Sequence, residues 1–163
     1  MISLKGLYLI DFNYFKKKKW KLKILVFLFL SHITFLMIKD HPHQNVYFNF
    51  LAGKNVQAKF ELDYWGLSNK QALEYILKND SKSVIKIGSA GPISLENSKQ
   101  ILSSLDKKRV MISENIESDY IIDNYINWYG KYKKKRHEIP NNFKIYKEIF
   151  VSGKRIISIY KRI

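Results

Sequence analysis

The strongest signal in the hydrophobic pattern is the run from Ile24 to Ile38, ILVFLFLSHITFLMI, which contains no Lys, Arg, Asp or Glu. A helix that is apolar on every face has no polar stripe to turn toward water, so the run reads as a transmembrane helix rather than the core helix of a small domain. At the helical rise it covers about 22 Å, against the roughly 30 Å of a hydrocarbon core. Leu22, with Lys23 and Lys39 reaching outward to the interfaces, closes much of that gap. His32 lies inside the run and reads as a neutral imidazole bonded to backbone or to a neighbouring helix.

Beyond the run the pattern changes to short alternating segments. Asp40 to Asn45 breaks periodicity, with Pro42 setting an extended start, and Val46 to Leu51 is a short β-type or aromatic segment. Ser68 and Gln71 have capping-box spacing, and the helix behind them presents Ala72, Tyr75 and Ile76 on one face before Asn79-Asp80 ends it. Ser83 to Gly88 reads as a strand. Gly91-Pro92 turns the chain into a second amphipathic helix, Ser94 to Leu105, whose apolar face is Leu95, Ile101, Leu102 and Leu105. Arg109 to Ser113 and Asp119 to Tyr125 are strands, and Phe143 to Val151 with Lys154 to Tyr160 alternates around Ser152-Gly153 as a terminal β-hairpin. This order predicts an α/β fold: one N-terminal transmembrane helix, then a small α/β domain with a mixed sheet and a C-terminal β-hairpin.

Charge changes the picture by orienting the span. Lys16 to Lys19, Lys21 and Lys23 crowd its N-terminal side, with Tyr14, Phe15 and Trp20 among them as interface anchors. The positive-inside rule then gives a basic cytoplasmic segment 1–23, a transmembrane helix 24–38 and an extracytoplasmic domain 39–163. A cleaved signal peptide has the same polarity, but IKDHPHQ offers no small-x-small cleavage site, which favours a retained anchor. The formal net charge of +15 invites a nucleic-acid reading. The charge is spread along the chain, however, and an extracytoplasmic domain makes nucleic acid an unlikely partner. The lipid bilayer is the partner that the sequence requires. Cysteine is absent, which removes disulfides, thiolate metal sites and cysteine nucleophiles.

Candidate chemistry is sparse. His41-Pro42-His43, near Asp40 and Asp63, could chelate, but the expected reading is a pair of polar surface histidines and no metal site. Gly88 to Pro92 follows a strand and precedes a helix, yet lacks the spacing of a dinucleotide turn, and Pro92 removes a donor N–H; it reads as a simple turn. No cofactor is implied. Asp63-Tyr64-Trp65-Gly66 admits two readings: a sugar platform of aromatic faces beside a carboxylate, or a Trp65 packed beneath the first domain helix with Asp63 bonding loop backbone and Gly66 permitting the turn. Packing is the expectation for Trp65, and surface for His43. Lys131, Lys133 to Lys135 and Arg136, interleaved with Trp128, Tyr129 and Tyr132, suit a solvated loop, anionic headgroups or nucleic acid.

Two stretches carry a resemblance. HPHQNVYFNFLAG from His41, followed by FELDYWGLSNKQAL from Phe60, resembles the region after the last membrane helix in bacterial multi-spanning membrane glycosyltransferases of the dolichyl-phosphate-mannose protein mannosyltransferase type. His41, Pro42, Gln44, Val46 to Asn49, Phe60 to Ser68, Lys70 and Ala72 match, and Asp119 to Ile122 resembles a later strand of that family. His43 and Asn45 stand where Tyr is usual. In that family the catalytic acids lie in the first extracytoplasmic loop, and Asp11, the sole acid ahead of the span here, falls on the expected cytoplasmic side. The resemblance therefore implies a C-terminal or accessory module of a polyprenyl-phosphate-sugar-dependent glycosyltransferase, with no catalytic residue of its own. Its implied partners are a separate multi-spanning glycosyltransferase subunit and the polyprenyl-phosphate sugar. His41, His43, Gln44, Asp63, Tyr64 and Trp65 would form the sugar or acceptor surface. A single-pass anchored binding or structural protein unrelated to glycosyl transfer is the alternative.

Overall fold

A computed structural model of the chain describes residues 19–48, 52, 56–126 and 138–163. The apolar run is the central part of a longer helix, α1 (Lys19–Lys39), because lysine is a good helix former and its stem tolerates an apolar neighbourhood. Its 21 residues measure about 31 Å, the thickness of a hydrocarbon core. Leu25, Phe27, Phe29, Phe35 and Ile38 all point outward and exposed, and none of the apolar window is buried. A core helix would be covered by protein. This one is long and apolar enough to cross a membrane.

The chain divides between Lys39 and Asp40, and the second unit runs from Asp40 to Ile163. After a turn closed by the His43 N–H on the Asp40 carbonyl, a 3-10 turn (Gln44–Val46) leads into Tyr47 and Phe48. The β-type segment expected over 46–51 is thus a buried Val46 followed by an aromatic contact, Phe48 stacked on Phe60 with centroids 4.8 Å apart; 49–51 fall outside the described residues. The extended start expected from Pro42 is likewise a turn. A short helix α2 (Val56–Lys59) precedes α3 (Leu67–Asn79), whose Ala72, Leu73, Ile76 and Leu77 form the buried stripe of an amphipathic helix.

Five strands form one mixed sheet: β1 (Ile85–Ser89), β2 (Val110–Ile112), β3 (Tyr120–Asp123), β4 (Phe143–Val151) and β5 (Lys154–Arg162), in spatial order β2-β1-β3-β5-β4. β1 pairs parallel with β2 and β3, and β5 runs antiparallel between β3 and β4. Every residue of β3 is buried, as expected of a strand with neighbours on both edges and cover on both faces. Ile85, Ile87, Tyr120, Ile122, Ile157 and Ile159 meet the stripe of α3 in the main core. Ser152 and Gly153 turn the hairpin with φ of 46° and 74°, the left-handed pair that a two-residue hairpin loop needs. The expected mixed sheet and hairpin are present.

The single helix expected over Ser94 to Leu105 is instead two, α4 (Leu95–Gln100) and α5 (Ser104–Arg109). Serine is the reason. Ser94 Oγ accepts from the Glu96 N–H, and Ser103 Oγ accepts from the Asp106 N–H at 3.1 Å while donating to its carboxylate at 2.7 Å. The second cap restarts the chain in a new direction. Leu95 and Leu102 reach the core, but Ile101 and Leu105 are left exposed.

From β2 the chain reaches β3 by passing over β1 in a 3-10 turn (Asn115–Glu117). The crossing is tied down by Ser113 N–H to the Ile87 carbonyl (3.1 Å) and Asp119 N–H to the Lys86 carbonyl (2.8 Å). At the opposite end of α3, the Arg109 guanidinium donates to the carbonyls of Leu77, Asp80 and Lys82. Beside it Asp80 accepts from the Lys82 N–H and the Tyr120 hydroxyl, both at 2.9 Å. Asp119 accepts from the Lys86 N–H (2.9 Å) and from Lys82 Nζ (2.7 Å).

Burial works against the charge on both carboxylates, but these bonds and the Lys82 ammonium outweigh it and hold both below the ordinary range. A folded-state pKa that is depressed contributes stability above the unfolded value, about 3.9 for Asp, and loses it as pH falls through the folded value. Asp119→Asn is therefore expected to be less stable than wild type at neutral pH and to lose less on acidification below about pH 4. Urea midpoints of the full chain in detergent, measured as a pH series, check this. Parallel acid limbs for the two proteins would contradict it.

Candidate functional site

The two stretches that carry the resemblance fold onto one another. The Asn45 side-chain amide donates to the Leu62 carbonyl at 2.8 Å, and His43 Nε2 lies 3.1 Å from Gln71 Oε1. Val46 and Leu62 enter the same core. The six candidate residues lie on this unit, but they do not share one environment.

Two of the six are inside. Asp63 is fully buried, and its carboxylate accepts from the Ser68 N–H at 3.3 and 3.4 Å and from the Ser68 hydroxyl. It also takes the Leu67 N–H. The orphan donors at the start of α3 are thus satisfied by a side chain from the preceding loop. This corrects the capping box expected at Ser68: Gly66 holds the cap position with φ of 66°, a conformation in which a β-carbon is costly, and Ser68 is a buried donor in the first turn. Burial pushes the Asp63 carboxyl above its usual range, against the opposing pull of the Ser68 bonds and of His43. His43, expected on the surface, is only 3 % exposed, because its ring fills the space between the post-span turn and α3 to reach Gln71.

Three are exposed and Gln44 is half-buried. Gln44 Nε2 donates to His41 Nδ1 at 2.8 Å, while the His43 ring is engaged by Gln71. The His-x-His pair therefore does not converge, and among the described residues no three His, Asp or Glu side chains gather as a metal site. Tyr64 and Trp65 meet edge to face, centroids 5.1 Å apart, and are 50 % and 72 % exposed. The expectation that Trp65 packs beneath α3 is overturned. The turn is closed by the Gly66 N–H on the Asp63 carbonyl, and Asp63 is the side chain that it turns inward, toward the Ser68 N–H.

A second feature was not assembled from the sequence. At the carboxyl ends of β1 and β2 lies a cleft of about 850 Å³ lined by Ser89, Gly91 to Leu95, Ile112 to Ile116, Glu138 and Pro140. Its lining combines serines, Asn115, Glu114 and Glu138 with Ile93, Ile112 and Ile116. Carboxyl ends of parallel strands are where open α/β sheets bind ligands. The Gly88 to Pro92 turn was legible as a strand-to-helix turn, and it forms one wall. The other wall, Ser113-Glu114-Asn115, carries no motif, and only the crossing of β1 brings it opposite. The basic cluster at 131–136 and its aromatic neighbours lie outside the described residues.

No family model matches this sequence, no curated protein matches it, and no solved structure matches its fold.

Proposed function

We propose that this chain is a single-pass, membrane-anchored accessory module of a polyprenyl-phosphate-sugar-dependent glycosyltransferase, without transfer activity of its own. One observation carries the reading. The stretches that resemble that family, His41 to Gly53 and Phe60 to Leu73, are separated in sequence, yet Val46 and Leu62, which both match it, enter the same core.

The lysines ahead of α1 orient the span with the N-terminus in the cytoplasm and the α/β domain outside. His41, Gln44, Tyr64 and Trp65 then present two hydrogen-bonding side chains and two aromatic rings toward the sugar or its acceptor. Asp63 is committed to α3, and Asp80 and Asp119 are held ionised by bonds of the fold, so none of the three is placed to accept a proton from an acceptor hydroxyl. The cleft at β1 and β2, lined by serines, Asn115, Glu114 and Glu138 as well as isoleucines, suits a polyhydroxyl ligand.

The test reconstitutes the full chain in vesicles with a polyprenyl-phosphate sugar and an acceptor peptide. The expected result is binding of the lipid-linked sugar with no transfer. General-base assistance is worth about 10²- to 10⁴-fold, so a working base would be seen. Transfer clearly above empty vesicles would sink the accessory reading. Failure to bind, together with no effect on a co-expressed multi-spanning transferase, would leave an anchored binding or structural protein. A reporter fused after Ile163 should be active only outside the cytoplasm.

A further inference from the structure

We infer that the α3 side of the β4-β5 hairpin is a polyanion-binding surface and that its occupant is an acidic polysaccharide. The choice of a glycan rests on the outward orientation of the domain; the charge of the surface does not.

The register of the hairpin comes first. Lys144 and Lys161 stand directly opposite one another on β4 and β5. Like charges in a cross-strand pair repel, and stability alone would set an acid against one of them. Tyr120, a residue of the main core, is opposite Lys161 on β3, which puts both lysines on the α3 side of the sheet. Ile145 pairs with Tyr160 and Lys147 with Ile159, another residue of that core, so Tyr146 is the extra residue of a β-bulge. Strict alternation would send either Tyr146 or Lys147 to the far side. The bulge brings both to the near one, where the Tyr146 ring lies 5.8 Å from that of Tyr120 and 6.0 Å from that of Tyr75 on α3.

The rings hold the lysines. Lys161 Nζ sits 5.5 Å from the Tyr120 centroid and 5.1 Å from that of Tyr146, and Lys147 Nζ sits 5.5 Å from that of Tyr75. Cation–π contact steadies the stems and leaves the charge in place, so part of the ordering that binding demands is done beforehand. Nothing acidic cancels that charge. The sequence has no Asp or Glu in 49–51, 53–55 or 127–137, so every carboxylate of the domain is among the described residues. None of them forms an ion pair with Lys144, Lys147 or Lys161. Lys161 adds to the field that holds Asp80 ionised, but the bonds of Asp80 go to the Tyr120 hydroxyl and the Lys82 N–H. All three lysines are exposed, and β4 is the edge of the sheet.

Three such ammoniums on one face call for a ligand with repeated negative charge. A single-stranded nucleic acid would need open ring faces on which to stack its bases. Tyr120 is buried, and Tyr75 and Tyr146 meet edge to face with Lys147 and Lys161 over their rings, so the surface reads charge and not bases. Outside the cytoplasm, the polyanion with charge and no bases is a polysaccharide that bears carboxylates or phosphates.

The test uses the full chain in neutral detergent, with labelled polygalacturonate, uncharged dextran and oligothymidylate as probes read by fluorescence anisotropy. Wild type is expected to bind polygalacturonate, less tightly as salt rises, and to leave dextran alone. Lys144→Gln combined with Lys161→Gln should weaken that binding about tenfold. Lys107→Gln combined with Lys108→Gln removes the same charge from α5, beside β2 at the opposite edge, and should change it less than about threefold. The first pair relieves a repulsion, so its urea midpoint should not fall below wild type. Should it fall, Lys147→Gln alone is read in its place, with an expected loss of about threefold. Equal losses for the two pairs overturn the surface, because net charge alone then accounts for the binding, and so does an absence of binding at low salt. Tighter binding of oligothymidylate overturns the glycan as occupant, as does displacement of polygalacturonate by dihexanoyl phosphatidylglycerol at equal charge. Orientation is read separately. A reporter after Ile163 that is active in the cytoplasm overturns the glycan and the outward reading together, whereas an outward reporter with equal losses overturns the surface alone.

Discussion

Gly88→Ala is expected to destabilise the domain by about 2–4 kcal/mol, a large share of the roughly 5–15 kcal/mol available to a domain of this size. A β-carbon at this position would lie 2.3 Å from Asn115 Oδ1, 2.6 Å from Ser118 Oγ and 3.1 Å from the Asn115 α-carbon. The Asn115 side chain can swing aside, but the other two atoms cannot. Ser118 is fully buried, bonded to the Glu114 carbonyl at 2.8 Å and to Ser113 Oγ at 3.1 Å. The crossing backbone is held from beneath by β1 and from the far side by Arg162, whose Nε donates to the Ser118 carbonyl at 2.7 Å. A methyl group therefore lifts the crossing and breaks several of these bonds together. Urea unfolding of the full chain in detergent, followed by circular dichroism, should show a markedly lower midpoint. Ser89→Ala, one residue along, loses only a bond to the Gly91 carbonyl and serves as the mild control. A wild-type midpoint for Gly88→Ala would mean that the crossing yields and does not fix the sheet.

Asp63→Ala is expected to cost about 2–3 kcal/mol, since it strips the cap from α3 and leaves the buried Ser68 hydroxyl without its acceptor. Asp63→Asn should cost less. An amide oxygen still accepts from the Ser68 N–H, and the neutral group escapes the burial that raises the carboxyl's pKa. The sign follows from that shift: a carboxyl whose folded pKa is raised favours the native state below its unfolded value and loses that contribution as pH climbs through the folded value. The gap between Asp63→Asn and wild type should therefore be narrower at neutral pH than near pH 4. Trp65→Ala, with most of its indole in the open, should stay within about 0.5 kcal/mol of wild type. The same unfolding series reads all three variants. Equal losses for Asp63→Ala and Trp65→Ala would mean that the loop stabilises the fold through the indole after all.

The sequence by itself determined the elements that rest on local pattern. The apolar run read as a helix long and apolar enough to cross a membrane because no face of it could meet water, and α3, strands β1 to β3 and the hairpin followed from periods of 3.6 and 2 with turn residues between them. Ser152-Gly153 announced its own geometry. Local chemistry also split the helix expected over 94–105, and Ser103 was the visible signal: a serine followed three residues later by an acid starts a helix as readily as it sits in one.

What tertiary structure alone decided was which side chain of each motif turned inward. The tetrapeptide at 63–66 contains both a carboxylate and an indole, and hydrophobicity argues for burying the indole. The fold buries the carboxylate, because α3 begins directly above it with orphan N–H groups that only an acceptor can satisfy. His43 and His41 separate for a similar reason: Gln71, 28 residues away from His43, draws one ring in, while neighbouring Gln44 holds the other out. The need for Gly88 was equally invisible. It arises from a crossing made some thirty residues later, and such a contact exists only once β2 and β3 have taken their places on either side of β1.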